Sequence, residues 1–571
     1  MWDGLVRPIR DHLPLWLLLL PILGMMLLPI ARSLSSRAVQ WTMRVVLGMS
    51  VVLSVCLVVA YEPLKLSSLA AHRAGFGPLE RFQFRDSFGW VGESRTALLE
   101  RTRNDGTQQV IEVPIRWGPD ICIEVGVDGI SLWFVALSVL LVGVGSGEWS
   151  VGSGKPNTAH SGLPNPGTPL AWLWLQASLV GTFVALDVVL FAMSWMSTWL
   201  AVAWLMGRGG DSQRHAVTPS LLQRSCWSGW MVLLGLGGLV LVCGWLRPVA
   251  NRPETPLIFA IPELVAGVSR GAMSGESALL WASVSTWLFW LLVIGFTGPL
   301  WLVPFHQGFV SGFESAPRGV SMVLAGVLLK VGVFGWLRFI LPLFPELLRQ
   351  YADSFTTLFG WSSLFAALLA FGATDWRRRI ALATCSSISL SLLGISTLTQ
   401  EGLTGGLLRL FSHGLTAGLL LWLLPREEPA TAGSNCAGSN EVTQRWRVGL
   451  VRFSLFAWIG LPGLSGFVAE FVTPFGLFQH EFNAAALSFA TSGVIAWMWV
   501  RSEREPLNWS GDGWSHRQTI IAAVLVALNL GMGVAPQVVV DRVQPSLMQL
   551  LPGDRVTTAV FLETQPLAEV R

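Results

Sequence analysis

The chain has 571 residues, of which 52% are hydrophobic and 13% charged, with a mean hydropathy of +0.56 and a formal net charge of +3. A soluble domain carries about 25% charged residues, so this composition excludes a soluble globular enzyme, a disordered chain and a secreted disulfide scaffold. The small, dispersed positive charge gives no case for nucleic acid.

Apolar runs of about 20 residues can cross roughly 30 Å of hydrocarbon. They fall at 13–31, 41–61, 129–146, 169–186, 187–206, 227–246, 278–303, 319–343, 356–374, 378–396, 405–424, 448–478, 483–501 and 517–541. The prediction is an all-α polytopic membrane protein with fourteen transmembrane helices. The first run follows Arg7 and Arg10 but lacks a clear small-residue cleavage site, so it is read as a helix rather than a signal peptide. As one helix, 169–206 would reach about 57 Å, so it is divided at Asp187, its only charge. Between the second and third runs, residues 62–128 alternate in places, as in Gln109-Val110-Ile111-Glu112-Val113, which predicts an outer β-hairpin. Stretches 147–168 and 427–444 are rich in Gly, Ser, Pro and Asn and are expected to be flexible loops. The expected units are 1–61, 62–128, 129–168, 169–343, 356–501 and 502–571.

Arginines concentrate after the odd-numbered spans: Arg32 and Arg37, Arg208, Arg214 and Arg224, Arg377 to Arg379, Arg426, Arg445 and Arg447, and Arg504. Positive charge in short loops marks the cytoplasmic side. Both termini are therefore expected to face outward.

Two spans carry helix breakers. Span 7 holds Gly295-Phe296-Thr297-Gly298-Pro299, and span 12 holds Gly460-Leu461-Pro462-Gly463-Leu464-Ser465-Gly466. Proline removes a backbone donor and clashes with the preceding turn. In lipid, each freed carbonyl needs a protein or water partner. Breaks five spans apart suggest two inverted five-helix repeats, spans 4–8 and 9–13, around an ion path. Simple kinks in packed helices are the alternative.

A charge at mid-bilayer costs on the order of 3 kcal/mol. Lys330 accepts that cost in the middle of span 8. Only three of the chain's 38 basic Lys and Arg residues are lysine, so its choice there is informative. Arginine keeps its proton, whereas a buried lysine can lose one, as a relay requires. Glu470 follows the break in span 12, and Arg409 and His413 share one face of span 11. Histidine is the switchable group near neutral pH, and the fixed charge of Arg409 could act on His413 or pair with Glu470. Asp187 and Glu314 are expected near the interface. The six cysteines form no CxxC pair or Cys/His cluster, and no Gly-rich phosphate motif occurs. No metal or cofactor is expected in this chain.

Several strings together carry a family likeness. They are Gly126-Val127-Asp128-Gly129-Ile130-Ser131-Leu132, the run from Ala316 to Glu346, Asp375-Trp376-Arg377-Arg378 with Ser386-Ser387-Ile388-Ser389, Ser412-His413-Gly414-Leu415, and Gly460 through Phe471. Over about residues 125–500 the chain resembles subunit M of bacterial NADH:quinone oxidoreductase, respiratory complex I, one of its antiporter-like subunits. The resemblance implies fourteen helices with inverted repeats and no redox centre. It also implies the bacterial inner membrane, with protons, the lipid bilayer and other membrane-arm subunits as partners. The chain ends soon after span 14, so the long lateral helix of subunit L is not expected. By the same resemblance, Lys330, His413 and Glu470 match the family's ion path. Met196, Pro299 and Leu390 stand where it has a glutamate, a lysine and a histidine. The first half-channel is therefore expected to be degenerate. The alternatives are the D-type component of a multisubunit cation/proton antiporter and the membrane partner of an inorganic-carbon uptake complex.

Overall fold

The computed structural model describes residues 10–62, 82–90, 94–102, 108–116, 121–152, 167–207, 212–246, 259–271, 275–424, 441–505 and 516–551. Most of the two stretches expected to be flexible loops, and the tail after 551, lie outside the described residues.

The chain begins with α1 (Leu13–Leu34) and α2 (Ser36–Ala60). They are separated at Ser35, whose hydroxyl accepts from the Ala38 amide at 3.0 Å and caps α2. Four strands follow: β1 (Gln83–Trp90), β2 (Ser94–Thr102), β3 (Gln108–Arg116) and β4 (Ile121–Val127). The expected hairpin is β2 with β3, antiparallel from Ser94 opposite Arg116 to Thr102 opposite Gln108. A second antiparallel ladder, β1 with β4, encloses it in sequence and was not expected.

The helices then run α3 (Gly129–Gly152), α4 (Gly167–Val184), α5 (Val188–Gly207), α6 (Ser212–Leu246), the short α7 (Ile261–Gly271) and α8 (Gly275–Thr297). Next come α9 (Gln307–Ser315), α10 (Arg318–Leu343), the short α11 (Pro345–Gln350), α12 (Ala352–Gly372), α13 (Trp376–Ser396) and α14 (Gln400–Leu423). The last are α15 (Glu441–Ile459), α16 (Ser465–His480), α17 (Phe482–Ser502), α18 (His516–Val534) and α19 (Gln537–Met548).

Among the described residues, twelve helices are long and apolar enough to cross a membrane. The shorter apolar helix Thr168–Val184 and the pair α15 and α16, joined through the second break, account for the other two expected spans. The last span is shorter than expected. It stops at Val534, Pro536 follows, and α19 turns back so that a Cβ on Gly129 would meet the Arg542 carbonyl.

Both expected breaks are present. Pro299 cannot donate to the Gly295 carbonyl one turn back, and that carbonyl instead accepts from the Ser228 hydroxyl of α6. The chain continues through a tight turn at Gly298–Leu300, and Trp301 takes φ +53° before α9 begins. In the second break, Gly460 and Gly463 take φ +86° and +88°, left-handed conformations that glycine tolerates.

α10 and α13 are buried along their spans and α14 nearly so, whereas α18 is mostly exposed. A charge on α10 or α14 therefore lies inside protein rather than against lipid.

Candidate functional site

The site begins with an irregularity in α10. The helix widens into π turns at Leu324–Leu328 and Trp336–Ile340, on either side of Lys330. Such turns often occur at functional positions. The first leaves the Ala325 carbonyl within reach of the side chain five residues on, and Lys330 Nζ donates to it at 2.8 Å. The same nitrogen lies 3.2 Å from His413 Nδ1 on α14. Lys330 is 0% exposed and His413 5%. The two helices approach closely because glycines meet there: a Cβ on Gly414 would stand 2.8 Å from the Gly326 carbonyl. Trp458 of α15 packs edge-on to the imidazole, 4.8 Å between ring centroids.

One turn before His413, Arg409 is ion-paired with Glu470 of α16 through Nη1 and Oε1. The other carboxylate oxygen accepts from the Ser492 hydroxyl of α17 at 2.6 Å. Gly460 packs directly on the Glu470 side chain, where a Cβ would come within 2.6 Å of Cγ. The second break thus positions this carboxylate. Beside the line, Ser412 lies 3.3 Å from Ser465, and Asn529 Oδ1 accepts from Ser465 at 2.7 Å and from Thr416 at 3.0 Å. Lys330, His413 and Arg409, all buried, therefore form one connected arrangement with the half-buried Glu470 across α10, α14 and α16.

Two supporting candidates lie elsewhere. Asp187 lies at a span end, between α4 and α5, and is fully buried there because it caps α5: it accepts from the Leu190 amide at 2.7 Å and the Glu124 amide at 3.0 Å. Burial pushes its carboxyl up to about 6. Glu314 sits at the end of α9, where its carbonyl accepts from Arg377 at 2.6 Å and its carboxylate lies 4.0 Å from Arg378.

Apolar groups occupy the first half. Phe191 and Trp195 of α5, Phe296 of α8 and Phe339 of α10 form a ring cluster with centroid separations from 4.7 to 6.1 Å. Phe296 packs on α10 at Gly332 and Gly335, close after Lys330. Met196 packs against Gly229, and Pro299 and Leu390 are buried. The nearby hydroxyls serve local needs. Ser197 accepts from Trp174, Thr297 accepts from Trp336, and Thr198 donates to the Ser194 carbonyl.

Asp128 and Arg338 lie within the family-like strings, but sequence alone assigned them no role. They form a two-pronged buried ion pair, at 2.8 and 3.2 Å. Ser492 and Asn529 carried no signal, being ordinary polar residues in apolar runs.

A helical polytopic membrane protein with an ionisable line running from α10 to a broken helix has the makings of an ion-translocating membrane protein. The family model described as "NADH:quinone oxidoreductase/Mrp antiporter, TM" matches residues 185–496, and the chain belongs to this family. It is 28% identical over 453 residues to "NADH-quinone oxidoreductase subunit M" of Rhodobacter capsulatus, covering 76% of this chain and 83% of that one. A chain of the solved "Respiratory complex I from Thermus thermophilus with bound NADH" superposes with a TM-score of 0.66 at 22% identity, covering 95% of this chain and all of that one. A chain of the Mrp complex from Dietzia sp. gives 0.66 at 15% identity, covering 95% and 97%. The two structural likenesses show a shared fold.

Proposed function

We propose that the chain is an M-type membrane-arm subunit of a proton-translocating NADH:quinone oxidoreductase. It couples electron transfer in other subunits to proton movement along Lys330, His413 and Glu470. The observation that carries this is the contact of Lys330 Nζ with His413 Nδ1 at 3.2 Å, buried between the two π turns of α10. An amine against an imidazole can pass a proton directly, since each has a lone pair once deprotonated. The chain holds no redox cofactor in this reading. Its partners are the other membrane-arm subunits, protons and lipid, and it lies in a bacterial inner membrane with both termini outward. Residues 169–343 and 356–501 are its two inverted repeats. The first half-channel is degenerate, and Met196 and Pro299 in place of the glutamate–lysine pair, with the ring cluster of α5, α8 and α10, support that. The test is protons moved per electron pair in the reconstituted complex, with Lys330→Ala. An unchanged ratio overturns the reading.

The Mrp likeness supports a second reading, a cation/proton antiporter component. Cation-driven proton exchange in vesicles without NADH would favour it.

A further inference from the structure

Glu470 stands at the far end of the line from Lys330, and neither of its carboxylate oxygens is idle. Arg409 holds Oε1 and the Ser492 hydroxyl holds Oε2. Gly460 packs against its stem, so the carboxylate has little room to turn away. Arg409 itself is only half engaged: Nε and Nη2 are buried with no hydrogen-bond partner among the described residues. The same holds for Nε2 of His413, one turn on along the same helix face. The guanidinium thus has spare donors, and the imidazole has a ring nitrogen that accepts in one of its two neutral tautomers.

We propose that Arg409 is a latch on Glu470, closing the outer end of the line. Extending the function proposed above, a proton leaving His413 reaches the carboxylate only as the guanidinium leaves Oε1. Proton loading frees the way for that move. When Lys330 passes its proton to His413 Nδ1, the ring gives up the proton on Nε2 in the same exchange in which Arg409 turns from Oε1 to the lone pair forming on Nε2. Glu470 Oε1 is released and takes the departing proton. The transfer balances without a co-reactant: N–H bonds break at Lys330 Nζ and at His413 Nε2, while one N–H bond forms at Nδ1 and one O–H bond forms at Glu470. Arginine suits the latch because it keeps its own proton throughout. Arg409 acts here as a positioning residue, with Glu470 as the group that carries the proton.

The test is passive proton leak through the whole complex in sealed vesicles, without electron donor, alongside protons moved per electron pair. Arg409→Gln should raise the resting leak by about tenfold or more, in proportion to the loss of a buried charge partner, and lower the coupling ratio. Arg409→Lys should restore most of the seal, because an ammonium can still hold Oε1. Adding Glu470→Gln to Arg409→Gln should abolish the extra leak. If Arg409→Gln does not assemble, Ser492→Ala releases the other oxygen while keeping the charge. It should raise the leak by a smaller factor, again only with Glu470 present. A leak unchanged in both single variants, or one that persists in the double variant, overturns the latch. Because resting leak needs no quinone chemistry, such a failure is separable from failure of the coupling role, which Lys330→Ala reads.

Discussion

Arg338 grips Asp128 across 210 residues of sequence. Two guanidinium nitrogens lie 2.8 and 3.2 Å from the two carboxylate oxygens, and both side chains are under 5% exposed. The guanidinium also lies 5.0 Å from the ring centroids of Phe82 and Phe334. Asp128 caps the entrance to α3, accepting from the Ser131 amide at 2.8 Å. The pair thus ties α10 to the start of α3 and the strand region, at the end of the helix that carries Lys330.

Breaking this pair should be costly. Removing one partner leaves the other charge buried and uncompensated, which destabilises by about 3–5 kcal/mol. Arg338→Met should therefore lower the thermal stability of the detergent-solubilised complex sharply. Arg338→Met with Asp128→Asn should recover part of the loss, because Asn keeps the cap without the charge. Equal losses in the single and double variants would show that the charge pair is not the source.

Lys330→Ala should abolish this chain's share of proton translocation while leaving assembly intact. It removes one buried amine with two partners from a large helical core. Lys330→Arg should fail equally, because arginine retains its proton. Protons per electron pair is the measurement, and a working arginine variant would point to a purely structural charge.

Gly460→Ala should both strain and displace. Its φ of +86° disfavours any side chain, and the added Cβ would meet Glu470 Cγ at 2.6 Å. A cost of about 1–3 kcal/mol is expected, together with impaired coupling because Glu470 must shift. Gly463→Ala is the control: it has the same strain and open space around the new Cβ. Lost stability without impaired coupling is expected there.

Phe296→Ala should cost about 3–5 kcal/mol as a core cavity, yet leave protons per electron pair unchanged, since the ring cluster is not on the line. Met196→Glu with Pro299→Lys should add translocated protons only once the ring cluster of α5, α8 and α10 is thinned. A gain with the rings intact, or full family stoichiometry in the unmodified protein that is lost with Lys330, would refute the degenerate first half-channel.

The twelve spans found among the described residues follow largely from run length, because hydrocarbon demands about 20 apolar residues whatever neighbours a helix has. Lys330, His413 and Glu470 were visible for a related reason: an ionisable group in such a run is costly enough to need an explanation. The breaks were visible because Pro299 and Pro462 disrupt the helix ladder by their own covalent structure.

Helix faces and their partners were decided by packing. Arg409 had two readings from sequence, acting on His413 or pairing with Glu470, and the approach of α16 placed it on Glu470. Asp187 read as a charge near a span end, and packing decided that β4 and α5 enclose it there, with their amides satisfying it. The π turns around Lys330 left no mark in the residue pattern, and neither did the partner of the Gly295 carbonyl nor the rings filling the first half. Hydrogen bonds form only within about 3 Å, and apolar periodicity says which face is buried but not against which helix. Those contacts exist only once the helices have packed.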